Sequence, residues 1–281
     1  MRKKVYLFGD SITQFSFCVQ DEFSPGWGAL VSEQYARKAD VINQGYSGYN
    51  SRWYLHLIEQ IFPEPLSQKE SAEVLFATLF LGANDCSRLE DNPRQHVPID
   101  EYEKNLGQIV DSIRKNIRED LPIILISQPA FDEEGWLARD RKDNPNLARS
   151  NRSAADAEAY SRAAIRAASS KQCHSLDLYQ QMMSQPNWKD LLSDGLHLSR
   201  SGNAFVYRSL MQYIKKQVPT AAPGQLKEDF PNWRAVDLED LKGSIKQLLE
   251  VWTAVNTTDI SIVSDTQTAL RFSRMQLKPK L

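Results

Sequence analysis

Four short polar clusters in this sequence hold the residue types from which acyl-transfer chemistry is built. Gly9-Asp10-Ser11-Ile12-Thr13 sets a serine hydroxyl in a tight turn that opens a helical segment. There, free backbone N–H groups and the helix dipole favour negative charge. Asp194-Gly195-Leu196-His197 places a carboxylate and an imidazole three residues apart in a glycine-containing loop, so that one turn can face both the same way. Asn43-Gln44-Gly45-Tyr46-Ser47-Gly48 ends on Gly48, whose bare backbone lets an N–H approach closely, and Gly82-Ala83-Asn84-Asp85 offers the side-chain amide of Asn84. An ester hydrolase needs a nucleophile, a base, a group that orients the base, and donors for a developing oxyanion. Ser11 is the candidate nucleophile, His197 the base and Asp194 its partner. The Ser11 and Gly48 N–H groups and the Asn84 amide are the candidate oxyanion donors. This set calls for no metal and no cofactor.

Each assignment has a plainer competitor. Gly-Asp-Ser tripeptides are common at turns, where both polar side chains satisfy backbone groups. Gly48 alone reads as a turn glycine, and Asn84 alone as a strand-end Asx turn. Asp10 and Asp85 read as structural, accepting backbone N–H bonds. Among the other histidines, His56 and His174 sit at packing or surface positions, whereas His96 lies nearer the third polar loop and could line a pocket. Cys86, two residues past Asn84, is a rival nucleophile without a base beside it in sequence. Phe15, Phe17, Trp27, Tyr46, Tyr49 and Trp53 cluster around the same loops and read mostly as core packing.

The elements that must position these clusters follow from hydrophobic pattern. Lys4–Phe8, a run centred on Val41–Ile42, Glu73–Leu81, Pro122–Ser127 and a weaker run over His174–Leu178 are apolar throughout rather than alternating, as in strands buried on both faces of a parallel sheet. Between them, Tyr102, Leu106, Ile109, Ile113 and Ile117 draw one helical stripe, Phe205, Leu210 and Ile214 another, and Ala154–Ala168 is rich in strong helix formers. Alternating strands and helices predict a three-layer α/β sandwich with right-handed crossovers. In such a sheet, ligands bind beyond the carboxyl ends of the strands, and three of the four polar clusters fall at such ends. The fourth precedes the last helix of the body. The polar segment 132–149 after the fourth strand reads as a solvated loop or a lid over the site.

Residues 1–218 form the expected main domain, followed by a Pro- and Gly-containing linker and an extension over 219–281. Within that extension, Leu238, Leu241, Ile245, Leu248, Leu249 and Trp252 define an amphipathic helix over about 237–253. This stripe either packs on its own body or meets a partner or second copy. With 34 basic against 36 acidic side chains in 281 residues, the chain lacks the strong positive charge of a general nucleic-acid binder. No apolar run approaches the roughly 18–20 residues of a membrane-spanning helix, and four apolar residues after Met1-Arg2-Lys3-Lys4 are too few for a signal peptide. Three cysteines, Cys18, Cys86 and Cys173, without paired spacing fit reduced thiols and a cytoplasmic location. The terminal Lys280-Leu281 has the form of a peroxisomal address, but Pro279 replaces its small residue. The sequons at Asn151-Arg152-Ser153 and Asn256-Thr257-Thr258 read as chance matches. The sequence has no G-x-S-x-G elbow, P-loop, G-x-G-x-x-G fingerprint or H-E-x-x-H helix.

The four clusters together resemble the blocks of the GDSL or SGNH hydrolases, which carry Ser, Gly, Asn and His in that order: GDSIT at 9–13, Gly48, GAND at 82–85 and DGLH at 194–197. The wider wording, LFGDSITQFS at 7–16, QGYSGYNSRW at 44–53, NPRQHVP at 92–98 and SDGLHLS at 193–199, is similar to the isoamyl acetate-hydrolysing esterase branch. The resemblance spans about the first 215 residues. It implies a flavodoxin-like sheet of five parallel strands and a serine esterase acting on small short-chain esters. By the same resemblance Ser11 is the nucleophile, Gly48 and Asn84 are oxyanion donors, and Asp194 and His197 complete the triad. A thioesterase or lysophospholipase would use identical machinery on this fold. A non-catalytic binding or scaffold protein that keeps an esterase-like body is the alternative from a different class.

Overall fold

Five parallel strands carry the molecule: β1 (Lys3–Gly9), β2 (Ala39–Gly45), β3 (Val74–Phe80), β4 (Ile123–Ile126) and β5 (His174–Leu176). The computed structural model describes residues 2–17, 24–230 and 233–257. Cys18 and the tail beyond 257 lie outside them. Strand order is β2-β1-β3-β4-β5, the five-stranded sheet that the resemblance implies. The three inner strands, β1, β3 and β4, are apolar on both faces because both are covered. Val5, Leu7, Phe76, Phe80, Ile124 and Ile126 join one buried cluster, while Tyr6, Phe8, Ala77, Leu79, Ile123 and Leu125 join the other. Fully burying a side chain of the Phe or Ile class contributes roughly 1.5–3 kcal/mol, so these two layers hold most of the fold.

The helices between the strands are α1 (Ser11–Gln14), α2 (Trp27–Gln34), α3 (Ser51–Ile61), α4 (Gln68–Ser71) and α5 (Ile99–Asn116). Then come α6 (Glu133–Asp140), α7 (Ala154–Ser170), α8 (Leu178–Met183) and α9 (Arg200–Gln217). α2, α8 and α9 pack on one face through Trp27, Val31, Met182, Leu210 and Ile214. α3, α5 and α7 pack on the other through Tyr54, Ile58, Leu106, Ile113 and Ala164. The alanines of α7 keep its surface low, so α5 and α7 lie against each other.

Register fixes where the polar loops start. Gly9 of β1 lies opposite Gly45 of β2 and Phe80 of β3, so three strands end level. The chain leaves β1 toward β2 on one side and returns to β3 on the other, which makes the β1/β3 boundary the switch point of strand order. The loops carrying Ser11, Gly48 and Asn84 therefore open onto one crevice.

Three segments take a more definite form than the sequence pattern suggests, and the first of them is a strap. The stretch after α9 forms two 3₁₀ turns, Pro219–Ala221 and Pro223–Gln225, strapped to the body. The Tyr35 hydroxyl donates to the Ala221 carbonyl at 2.8 Å, and Lys38 Nζ to that of Pro223 at 2.9 Å. The first compact unit accordingly runs through Lys227. The segment 132–149 is no plain solvated loop, because it begins as helix α6 with Trp136 buried. The second unit, Glu228–Leu281, contains α10 (Leu241–Thr257), so Leu238 lies just before the helix rather than on it. Leu238, Leu241 and Ile245 are exposed. The side chain of Trp252 lies outside what the structure describes.

Gly9 is required where β1 turns into α1. A Cβ there would sit 2.2 Å from Thr13 Oγ1 and 2.5 Å from the Phe80 carbonyl oxygen. Gly9→Ala should therefore destabilise the fold by about 2–3 kcal/mol, the scale of core overpacking. Thermal melts should show a fall of roughly 4–10 °C. A melting temperature within a degree of wild type would contradict this packing.

Candidate active site

Ser11 and His197 are 186 positions apart, yet Ser11 Oγ lies 3.0 Å from His197 Nε2. On the far side of the ring, His197 Nδ1 lies 2.8 Å from Asp194 Oδ2. Local structure builds each half of this chain. Asp10 caps α1, its carboxylate accepting from the Ile12 N–H at 3.0 Å, which sets Ser11 at the first helical position. Its N–H is then one of the donors that a helix start leaves without an intrahelical acceptor. In the second half, Asp194 Oδ1 accepts from the N–H groups of Leu196 at 3.0 Å and His197 at 2.8 Å. Gly195 holds φ +93° between them. One carboxylate oxygen thus folds the loop while the other holds the ring, fixing a proton on Nδ1 and leaving Nε2 able to accept from the serine. Burial opposes ionisation of Asp194, but the hydrogen bond and charge of His197 and the two N–H bonds outweigh it and keep the carboxyl below its ordinary range.

Aromatic rings frame the imidazole. Phe15 stands edge-on to it with centroids 6.0 Å apart, and Trp136 lies 5.9 Å away from α6. α6 is docked on the Asp-His loop, since the Asp132 N–H donates to the Gly195 carbonyl at 2.9 Å. Arg139, stacked over Trp136 at 4.2 Å, brings its Nε within 3.9 Å of Asp194 Oδ2. Trp27, by contrast, is core, its indole N–H donating to the Ile12 carbonyl and its backbone N–H to Asn203 of α9. It ties the helix that starts at Ser11 to the helix that follows His197.

Gly48 and Asn84 are brought together through a residue that sequence reasoning missed. Gln95 Nε2 donates to the Gly48 carbonyl at 2.9 Å and to Asn84 Oδ1 at 3.1 Å. Asn84 Nδ2 donates to the Tyr49 carbonyl at 2.8 Å. Gly48 has φ +82°, a left-handed conformation that disfavours a side chain. A second missed residue, Arg152, is buried against Asn84, with its guanidinium 3.3 Å from Oδ1. Nothing in the polar run around Arg152 marks it as different from a solvated arginine, and Gln95 is conspicuous only inside the wider NPRQHVP wording.

The competitors are placed elsewhere. Burial pushes the Cys86 thiol up to about 12, so it remains protonated and inert where it sits. His96 Nδ1 is bound to the Ser87 carbonyl at 2.6 Å, His174 packs on Tyr213, and His56 is exposed. Asp85 accepts from the Ser51 N–H at 2.8 Å and so bolts the loop after β3 to the start of α3. Among the described residues no three His, Cys, Asp or Glu side chains are grouped to hold a metal ion, and no helix is long and apolar enough to cross a membrane.

A flavodoxin-like sheet with a serine, histidine and aspartate in contact beyond its switch point defines a carboxylic ester hydrolase. The chain belongs to the GDSL-like lipase/acylhydrolase family, whose model matches residues 7–205. It is 39% identical over 243 residues to a GDSL esterase/lipase of Arabidopsis thaliana, covering 85% of this chain and 96% of the relative. It is 35% identical over 234 residues to the human isoamyl acetate-hydrolyzing esterase 1 homolog, covering 83% and 88%. Its fold is shared with a lipase/acylhydrolase from Enterococcus faecalis (TM-score 0.57, 24% identity, 81% of this chain and 98% of that one). An acetylxylan esterase from Geobacillus stearothermophilus is also similar in fold (TM-score 0.54, 20% identity, 75% and 94%).

The site sits over two wholly buried acids. Burial raises Asp10 to about 7, against the Ile12 N–H bond that lowers it. Burial likewise raises Asp85 to about 6, against its bonds from Ser51. An unfolded Asp10 loses its proton near 3.8, whereas the folded one keeps it to about 7. Between those values the native state holds the extra proton, so its stability falls as pH rises through the window and the deficit is complete above it. Asp10→Asn retains an oxygen for the Ile12 N–H and removes the titration. The variant should melt close to wild type at pH 4 and roughly 4 °C or more above it at pH 8. A difference between the two proteins that is the same at both pH values would refute this account.

Proposed function

We propose that the protein hydrolyses short-chain carboxylic esters by a two-step acyl-enzyme mechanism. The observation that carries the reading is the continuous contact from Ser11 Oγ through the His197 ring to Asp194 Oδ2, at 3.0 and 2.8 Å. In the first step Ser11 Oγ forms a bond to the ester carbonyl carbon as His197 Nε2 takes the hydroxyl proton. The negative charge passing to the carbonyl oxygen is met by the N–H groups of Ser11 and Gly48 and by the Asn84 amide. Collapse breaks the bond to the alkoxy oxygen, which leaves with the proton from His197. Water then attacks the acyl-serine, giving its proton to His197, and the carboxylic acid departs as Ser11 recovers its hydrogen. Asp194 stays ionised throughout, holding the ring and stabilising the imidazolium.

Short acyl and alcohol groups are supported by two things. Phe15 and Trp136 crowd apolar surface against the His197 ring that meets the serine. Relatives at 35% identity are named for the hydrolysis of isoamyl acetate. Purified protein should turn over p-nitrophenyl acetate, with rates falling along a series from acetate to decanoate. Ser11→Ala and His197→Ala should each lower kcat by roughly 10⁴-fold or more, and the pair together by little more than either alone. Asn84→Ala should cost about 10²–10³-fold, the scale of one oxyanion donor. A fluorophosphonate probe should label wild type at Ser11 and leave Ser11→Ala unlabelled. Full turnover by Ser11→Ala would remove the mechanism.

A further inference from the structure

Arg152 is a buried cation with no carboxylate in direct contact, the charges of Asp140 and Asp10 acting on it only from farther off. It is 3% exposed, and among the described residues no carboxylate pairs with it. All four of its hydrogen bonds go to neutral carbonyl oxygens. Nε donates to the Ala83 backbone at 2.7 Å and one terminal nitrogen to Asn151 Oδ1 at 2.8 Å. The other terminal nitrogen reaches Gln95 Oε1 at 3.2 Å and Asn84 Oδ1 at 3.3 Å. Burying an unpaired charge is expensive, and an apolar residue of similar size would pack the same space at lower cost. The charge therefore calls for a reason other than stability, and its partners supply one, because two of the four oxygens belong to Asn84 and to the Gln95 that braces it.

We propose that Arg152 is the positioning residue that sets the donor direction of the oxyanion hole. This rests on the reading of Asn84 and Gly48 as oxyanion donors. A guanidinium has five donors and no acceptor, so whatever faces it must present oxygen. That requirement acts together with the carbonyls of Tyr49 and Gly48, which only accept, and with the Asn92 amide, which donates to Gln95 Oε1 at 2.7 Å, to fix which way two side-chain amides point. Asn84 turns Oδ1 toward Arg152 and Nδ2 toward the Tyr49 carbonyl, which leaves the second N–H of that amide for the oxyanion. Gln95 turns Oε1 toward Arg152 and thereby aims Nε2 at the Gly48 carbonyl and Asn84 Oδ1. One cation thus orients Asn84 directly and grips the Gly48 turn through Gln95. With the guanidinium gone, Asn84 Oδ1 would keep only the Gln95 N–H and Nδ2 only the Tyr49 carbonyl, so the amide would be held by two contacts in place of three and would lose the charge behind it.

The charge also acts through the amide it binds. A charge-assisted hydrogen bond to Oδ1 draws electron density from Nδ2 and makes its remaining N–H a stronger donor. Both effects operate on the transition state more than on the bound ester, because only the tetrahedral oxygen carries full negative charge. The same guanidinium lies 5.2 Å over Trp136, whose ring stands 5.9 Å from that of His197.

The test is a double-mutant comparison on p-nitrophenyl acetate, with kcat and KM measured separately. Arg152→Met should lower kcat by about 10²-fold with KM within about threefold of wild type, and Arg152→Lys should recover roughly tenfold of that loss. In an Asn84→Ala background, Arg152→Met should cost less than about tenfold, since the direct route through Asn84 has been removed and only the brace on Gly48 through Gln95 remains. If Arg152→Met does not fold, Gln95→Glu serves the same comparison. The new carboxylate would take the guanidinium for itself and would lose the Nε2 donor to Gly48, so kcat should again fall with little further loss beside Asn84→Ala. Equal fold-losses with and without Asn84 would overturn the positioning role, as would an unchanged kcat. Ser11→Ala, run alongside, separates the two ideas. An active Ser11→Ala sinks the esterase mechanism itself, whereas an inactive one with additive Arg152 losses sinks only the role of Arg152.

Discussion

A hydroxyl and an imidazole that meet at 3.0 Å across 186 positions of chain leave little room for error, because displacements of about 1 Å can cost a reaction of this type on the order of 10²-fold. None of the groups involved lies within a strand. Ser11 opens α1 and the others stand on loops, which are ordinarily the least constrained parts of a fold. The constraint met here is that these segments are bolted to one another by hydrogen bonds. The Asn43 amide donates to the Thr13 carbonyl at 2.9 Å, and the Ser47 N–H to the side chain of Gln14 at 2.7 Å. The Tyr46 N–H donates to the Gly9 carbonyl at 2.9 Å. The loops after β1 and β2 are thereby locked together, and Asp85 does the same between the loop after β3 and α3. Level strand ends make this possible, since the first residues beyond Gly9, Gly45 and Phe80 are already neighbours.

The cost of the site is paid in buried polarity. Asp10, Asp85 and Arg152 all lie beneath it, and the other two both act on Asp10. Asp85 makes Asp10 harder to ionise, while His197 and Arg152 make it easier. Burial dominates both acids and raises them toward neutrality. A fold selected for stability alone would place apolar side chains here. The retained charges sit within reach of a serine, a donor amide and an imidazole, and their common consequence is to fix hydrogen-bond directions that a purely apolar floor would leave free. Stability is given up locally and recovered from the two apolar layers of the sheet.

What the sequence makes legible, and what it hides, divides along a physical line. The strand runs are readable because burial on both faces leaves no polar position, so Lys4–Phe8 falls within one residue of β1 at each end. β5 is shorter than its apolar run because Asp177 caps α8, its carboxylate accepting from Gln180, and Leu178 belongs to the helix. Asp194 and His197 are conspicuous because their relation is local, three residues in one turn. Arg152 and Gln95 are hidden because their relations are not. Arg152 meets Ala83 and Asn84 across 69 and 68 positions, and nothing in a polar stretch distinguishes an arginine that will be buried from one that will be hydrated. Trp136 is masked in the same way, its acidic neighbours Glu133 and Glu134 making the helix read as a solvated loop.

Direction, rather than distance, is what the hidden residues add. An amide side chain fills nearly the same volume in either of its two orientations, so close packing alone selects neither. Selection requires a neighbour with donors only or acceptors only. Arginine is the strongest such neighbour among the side chains, because its charge persists at any physiological pH and its planar fork reaches two amides at once. A lysine in the same place would supply charge with free rotation, and a glutamine would flip along with its partners. In the proposed mechanism the serine, glycine, asparagine and histidine supply the reacting and donating groups. The oxygen of that asparagine faces a guanidinium that lies outside all four of their blocks.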